Sequence, residues 1–188
     1  MASTPKAQQT AKRILDVAVV AFFDDGFEDT SIGRIAEAAN VAPGTVLLHH
    51  GSKSELATRA FAARIADAVR AATSTPPTGS TLDDVASVVH HLFAFYEAHI
   101  DVAPALLREA LFTGGDAGRA YAATVEATVG ALATLVRGDV GDERAFVVAE
   151  GLLADYLLVL LRLLRGELSD LSAAVERFRV LASTRLSA

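Results

Sequence analysis

Few residues in this 188-residue chain can hold a metal, attack a substrate or move a proton, and their spacing decides which of these tasks is open. Five histidines stand at positions 49, 50, 90, 91 and 99. Neighbours on a helix point about 100° apart, so His90 and His91 cannot chelate one ion as an i,i+4 pair does. His90 and Glu97 share a helix face but lie about 10 Å apart along its axis. The chain has no Cys, which removes a thiolate nucleophile, a disulfide staple and a cysteine-ligated zinc. It shows no HExxH pattern, no Ser/His/Asp order and no paired catalytic carboxylates. Gly114-Gly115-Asp116-Ala117-Gly118 is a helix-breaking loop, not a phosphate cradle after a strand. These residues predict no catalytic group, no metal and no cofactor. The chain is not expected to be an enzyme, and its histidines read as solvated or packed.

The elements that position the remaining polar groups are helical. No stretch alternates with period 2, whereas apolar residues recur at helical spacing and alanine is abundant. The spacing predicts a first helix over 9–24, with Ile14, Leu15, Ala18, Ala21 and Phe22 on one stripe and Gly26 as a left-handed stop. A short helix follows over 31–39, Asn40 suits a tight αL turn, and Pro43 opens a third helix reaching His49. Ser52-Lys53-Ser54-Glu55 has capping-box spacing and starts a longer helix running to about residue 72. Residues 73–80, dense in Pro, Gly and hydroxyls, form the clearest linker. Beyond it, helices are expected over 81–99, from Pro104 to Gly114, and over 116–136, 142–165 and 169–186. The expected fold is all-α with about nine helices. A three-helix N-terminal domain over 1–51 is joined by a connector helix to a larger helical domain within 52–188. Two short helices joined by a tight turn, 31–39 and 43–49, make a helix-turn-helix. Ile32, Ile35, Ala36 and Val46 supply its small core.

Composition bounds the partners. Hydrophobic residues make up 52% of the chain, enough for a real core, so intrinsic disorder is excluded. The opening residues lack an apolar signal core, and no apolar run approaches the roughly 18 residues of a membrane span. This predicts a soluble, cytoplasmic protein with no membrane partner. The net charge of −6 argues at face value against nucleic acid. Its distribution removes most of that objection: residues 1–60 carry six cations and seven acids, and residues 61–188 carry eleven cations and sixteen acids. Four N-terminal acids cluster within Asp24–Asp29, so Lys6, Lys12, Arg13, Arg34 and Lys53 are expected to face the other way, with His49 and His50 gaining charge near phosphates. Few cations imply a modest salt dependence.

Residues 12–57 carry Lys-Arg-Ile-Leu-Asp-Val-Ala, then Gly-Phe-Glu-Asp-Thr-Ser, Ile-Ala-Glu-Ala-Ala, Gly-Thr-Val-Leu-Leu-His-His and Gly-Ser-Lys-Ser-Glu-Leu. In order and spacing this segment resembles the N-terminal domain of the TetR family of transcriptional regulators. The resemblance implies that the 43–49 helix enters the major groove of double-stranded DNA and that a homodimer reads a palindromic operator. It also implies that Thr45 and His49 contact DNA, that Lys53 binds a phosphate, and that Ser31 faces a phosphate at a helix start. Arg34 is that helix's exposed cation and a phosphate or base reader. The chain departs from the family where Leu47 replaces a usual Tyr and His50 replaces an aromatic or large apolar residue. Leu47 and Val46 are placed to touch thymine methyls instead. His50 either loosens the small core or is satisfied through its ring nitrogens. Ala42 is a poor N-cap, costing about 1 kcal/mol against Ser.

In the larger domain, Val85, Val89, Leu92, Phe93, Tyr96 and Ile100 form one stripe with His99 at its edge. Tyr121, Val125, Thr128, Val129 and Leu132 form another. Polar tips on apolar faces suit a small-molecule pocket lined by Phe93, Tyr96, His99, Tyr121 and Thr128; the same positions also suit an ordinary core with satisfied hydroxyls. Arg108 and Glu109 read as gate, anchor or plain surface. Residues 156–164 are apolar nearly all round, which predicts burial on every side. With Leu171, Val175 and Phe178 of the last helix, Tyr156, Leu157, Leu160 and Leu164 are expected in a four-helix dimer bundle, the alternative being a monomeric core helix. The expected function is a homodimeric regulator, a repressor released from its operator by a small-molecule effector. The alternative is a helical ligand-binding or interaction module with a weakened DNA reader.

Overall fold

A computed structural model describes residues 4–74 and 78–187. It contains ten helices and no strand among the described residues. They are α1 (Pro5–Asp24), α2 (Gly26–Asp29), α3 (Ile32–Ala38), α4 (Pro43–His50), α5 (Lys53–Thr73), α6 (Thr81–Ala98), α7 (Ala103–Phe112), α8 (Gly115–Val140), α9 (Asp142–Leu164) and α10 (Leu171–Leu186). Of the linker expected over 73–80, residues 75–77 lie outside the described residues.

Local chemistry sets most boundaries. Thr4 accepts from the Ala7 N–H and Pro5 occupies the first turn, so α1 starts earlier than its apolar stripe. Gly26 (φ +84°) ends it, and Asn40 (φ +50°) makes the αL turn between α3 and α4. Ser80 and Asp170 cap α6 and α10 with their side chains. The extra helix α2 is a single turn, too short for periodicity to reveal. Its closure comes from buried Thr30, whose hydroxyl reaches the carbonyls of Gly26 and Ala21 at 2.7 and 3.0 Å. The α8 helix runs through Gly138 and stops at Gly141 (φ +80°), beyond the expected end at residue 136.

The chain forms two compact units that interleave along the sequence. One holds the residues up to Arg64 with Asp101–Ala123; the other holds Ile65–Ile100 with the residues from Thr124 onward. In the first unit, α1, α3 and α4 pack around Ile14, Ala18, Phe22, Ile35, Ala36 and Val46, all at most 1% exposed. The first turns of α5 contribute Leu56 and Phe61 to the buried set. The α7 helix packs on α2, with Leu106 buried and Arg108 paired to Glu28 at 3.5 Å.

In the second unit α10 packs against both α9 and α6. Five residues of the expected α6 stripe (Val85, Val89, Leu92, Phe93 and Tyr96) are buried, whereas Ile100 lies past the helix end and is 41% exposed. Asp155 of α9 and Arg185 of α10 make a bidentate ion pair, with Nη2 donating to Oδ1 at 2.9 Å. Gly151 makes room for it: a Cβ there would stand 2.5 Å from the Arg185 guanidinium. The expected burial of residues 156–164 on every side is not met within the protomer, where Leu158 and Leu161 remain 45% and 51% exposed. Earlier on α9, Val147 is 69% exposed.

Candidate nucleic-acid interface

The two helices of the helix-turn-helix are fixed at both ends. Ser31 accepts from the Arg34 N–H at 3.2 Å and so caps α3. Ala42 caps α4 with no side-chain bond, as its methyl requires, and Pro43 stands in the first turn. At the far end, Ser52 N–H donates to Glu55 Oε2 (2.8 Å) and Glu55 N–H donates to Ser52 Oγ (3.2 Å), the reciprocal capping box expected from the spacing. The donated Ser52 backbone N–H, and then its hydroxyl, hold the Glu55 carboxyl below its ordinary range. Gly51 (φ +77°) precedes the box, where a Cβ would collide with the Glu55 carboxylate.

This frame sorts the α4 side chains into two faces. Val46 (1% exposed) and His50 (7% exposed) point inward. His50 Nε2 meets the Ala11 carbonyl at 2.9 Å, while its Nδ1 is buried with no hydrogen-bond partner. Burial pushes the imidazole pKa down, against the opposing pull of the Ala11 bond. His50 therefore fills the aromatic's place as a neutral ring and is not a charge near phosphates. Val46 likewise cannot touch a base. Thr45 and His49 are half-exposed, and Leu47 (46% exposed) and Leu48 (81% exposed) project outward. Leu48 went unread in the sequence, although Val46 and His50 at i and i+4 on the buried face put position 48 opposite them.

Two of the five cations, Arg34 and Lys53, do not face away from the acidic turn, whereas Lys12 pairs with Asp16 within α1 at 2.7 Å. Arg34 pairs with Asp25 at 3.0 Å and reaches the Asp29 carbonyl at 3.4 Å. Lys53 donates to the Glu28 carbonyl at 3.2 Å and lies 4.5 Å above the Phe27 ring centroid. Backbone carbonyls and carboxylates at the end of α1 and in α2 attract them, an arrangement that linear spacing cannot reveal. Both side chains stay accessible, with Arg34 59% exposed.

The remaining expected residues are divided between the units. Tyr121 belongs to the first, where it packs on Phe61 with centroids 6.0 Å apart and burial raises its phenol pKa. Phe93, Tyr96, His99 and Thr128 belong to the second. Thr128 donates its hydroxyl to the Thr124 carbonyl (2.9 Å), and the His99 ring lies tilted against Phe95 with centroids 5.0 Å apart. Phe93 contacts Tyr156 at 5.1 Å. Tyr156, Leu160 and Phe178 are at most 5% exposed within the protomer, so these three do not face a second copy; they form its own core with α6. Leu157 and Leu164 are half-buried. Leu171 and Val175, also half-buried, border an α6–α10 groove of about 310 Å³ together with His90 and Glu97. Among the described residues no three His, Asp or Glu side chains are grouped to hold a metal ion. No helix there is long and apolar enough to cross a membrane.

Among the described residues the regular structure is all helical, with a helix-turn-helix near the N-terminus. Residues 14–60 match the family model described as bacterial regulatory proteins, tetR family. Over 51 residues the chain is 45% identical to the HTH-type transcriptional regulator AcrR of Shigella flexneri, a match covering 27% of this chain and 24% of that protein. A TetR transcriptional regulator from Rhodococcus sp. RHA1 shares the fold with a TM-score of 0.72 at 16% identity, over 95% of this chain and 96% of that one. FadR from Bacillus subtilis, in complex with stearoyl-CoA, shares it at 0.63 and 14% identity, over 94% and 97% of the two chains. The likeness in sequence is thus confined to the N-terminal segment, residues 14–60 being similar to the tetR family model, while the chain as a whole shares the fold of these solved regulators.

Proposed function

We propose that this protein is a homodimeric, sequence-specific DNA-binding regulator that reads a palindromic operator with α4 and represses transcription until a small molecule releases it. The observation that carries the reading is the α4 geometry. A helix anchored by Val46 and His50 presents Thr45, Leu47, Leu48 and His49 outward, with Arg34 and Lys53 accessible in the same unit. Such a helix fits the major groove, and flanking cations fit phosphates. Ser31 and the N–H groups opening α3 would add a phosphate contact.

The uncovered α9 strip supports the dimer. Val147, Ala154, Leu158 and Leu161 recur at seam spacing, and Val180 of α10 is 56% exposed. The fold shared with FadR in its stearoyl-CoA complex supports a small-molecule effector for the second unit, where Phe93, Tyr96, His99 and Thr128 lie. The effector acts by favouring one of two settings of the recognition helices. A second reading, a helical ligand-binding or interaction module with a weakened DNA reader, is favoured by one observation: α4 carries no lysine or arginine.

Selection from a random double-stranded DNA library with the full chain separates the two. Enrichment of an inverted repeat supports the regulator, and recovery of no preferred sequence supports the module.

A further inference from the structure

We propose that the Leu47–Leu48 pair reads the C5-methyl groups of pyrimidines in the major groove, so that operator choice depends on methyl contacts more than on hydrogen bonds to base edges. This inference rests on the DNA-reading function proposed above and adds the chemical group that is read.

The first observation is what α4 lacks. Its eight residues are Pro43, Gly44, Thr45, Val46, Leu47, Leu48, His49 and His50. None is Arg, Lys, Asn, Gln, Asp or Glu, the side chains that make the strong polar pairings with guanine, adenine and cytosine edges. His50 and Val46 are buried, which leaves Thr45 and His49 as the hydrogen-bonding side chains able to face a base.

The second observation is what α4 shows instead. Leu48 is 81% exposed and Leu47 46% exposed, adjacent on a helix whose opposite face is locked into the core. Two neighbouring branched aliphatic side chains lose apolar surface to water only if an apolar group covers them. In a B-form major groove the apolar group at the base edges is the C5-methyl of thymine, and a cytosine methylated at C5 presents the same group. The nearby cations favour a polyanion over a neutral protein surface as the occupant: Lys53 starts the next helix at the C-terminal end of α4, and Arg34 lies on the partner helix α3. The pair lies on α4, within the segment similar to the tetR family model, and this is the helix that the function proposed above puts in the groove.

The test uses the selected operator and the full chain. Each thymine of the half-site is replaced by deoxyuridine, which keeps every hydrogen-bonding edge and removes only the methyl. In parallel, each cytosine is replaced by 5-methylcytosine. Binding is measured by fluorescence anisotropy for the native chain and for Leu47→Ala and Leu48→Ala, whose exposed positions leave the fold intact. Affinity is expected to fall roughly four-fold for each contacted methyl removed, with at least one alanine variant indifferent to that removal. If deoxyuridine is neutral and 5-methylcytosine strengthens binding through the same leucines, the methyl read belongs to methylated cytosine. An operator bound equally well with and without both kinds of methyl would overturn the proposal while leaving the regulator intact. So would methyl sensitivity unchanged in both alanine variants, because another side chain would then make the contact. Failure to enrich any sequence overturns both the regulator and its methyl reading.

Discussion

His50 donates from Nε2 to the Ala11 carbonyl at 2.9 Å, and this bond ties the last turn of α4 to the middle of α1. A carbonyl only accepts, so the bond requires a proton on Nε2. In the neutral ring Nδ1 is then a buried acceptor with no donor. A chain with Phe in this place would have neither the bond nor the orphan.

The first prediction concerns pH. Burial, with Arg59 and His49 adding to it, holds His50 below its ordinary value of 6.5 despite the Ala11 bond. On acidification the unfolded chain takes up this proton before the folded one does. The stability contribution is therefore complete above the ordinary histidine pKa and declines as pH falls towards the depressed value. Urea unfolding at pH 7.5 and 5.5 is expected to show this loss in the native chain and a smaller one in His50→Phe. The same substitution removes an unsatisfied buried nitrogen, so stability at pH 7.5 should rise by about 1 kcal/mol.

Lys53→Ala should weaken DNA binding at all sequences alike. Its ammonium now rests on the Glu28 carbonyl and the Phe27 ring, positions from which it can turn to a phosphate. Losing one phosphate contact lowers the slope of log affinity against log salt by about one unit. Titrations at several salt concentrations check this, and an unchanged slope assigns Lys53 to the α2 contact alone.

The two sides of α9 should respond oppositely to charge. Leu158→Asp and Leu161→Asp place a carboxylate on an exposed strip and are expected to give folded monomers by sedimentation velocity. Leu160 is fully buried beside α10, and even Leu160→Ala should cost about 2–5 kcal/mol in unfolding. A persistent dimer in both aspartate variants moves the interface off α9.

Breaking the α9–α10 ion pair should be asymmetric. Asp155 is 8% exposed, whereas the Arg185 side chain is 41% exposed. Arg185→Ala strands a buried carboxylate and is expected to destabilise the fold by about 2 kcal/mol, below the range for fully buried pairs because solvent reaches the arginine. Asp155→Ala frees the guanidinium to swing into water and should cost less. Thermal unfolding of the two variants compares them directly.

Much of this molecule is legible in the chain. Helix starts at Ser31, Pro43 and Ser52 and the stop at Gly26 follow from the sequence, because caps and left-handed residues act over one turn; the Thr4-Pro5 start and the Gly141 stop went beyond the expected bounds. The buried face of α6 follows from its apolar period. Three things were not legible, for a common reason. Arg34 and Lys53 turn towards the acidic segment rather than away from it, α7 packs on α2, and Tyr156 meets Phe93. Each depends on which elements become neighbours, and periodicity reports a face without naming what covers it. Thus residues 156–164 read as uniformly buried, although Leu158 and Leu161 find no cover within one chain.

The central claim is that two copies of α4 read successive major grooves. Hydroxyl-radical footprinting of the full chain on its selected operator tests it most directly. The account predicts two symmetric protected windows, centred one helical turn of about 10 base pairs or a multiple of it apart, on one face of the duplex. A single window, or protection with no two-fold symmetry at saturating protein, would contradict it.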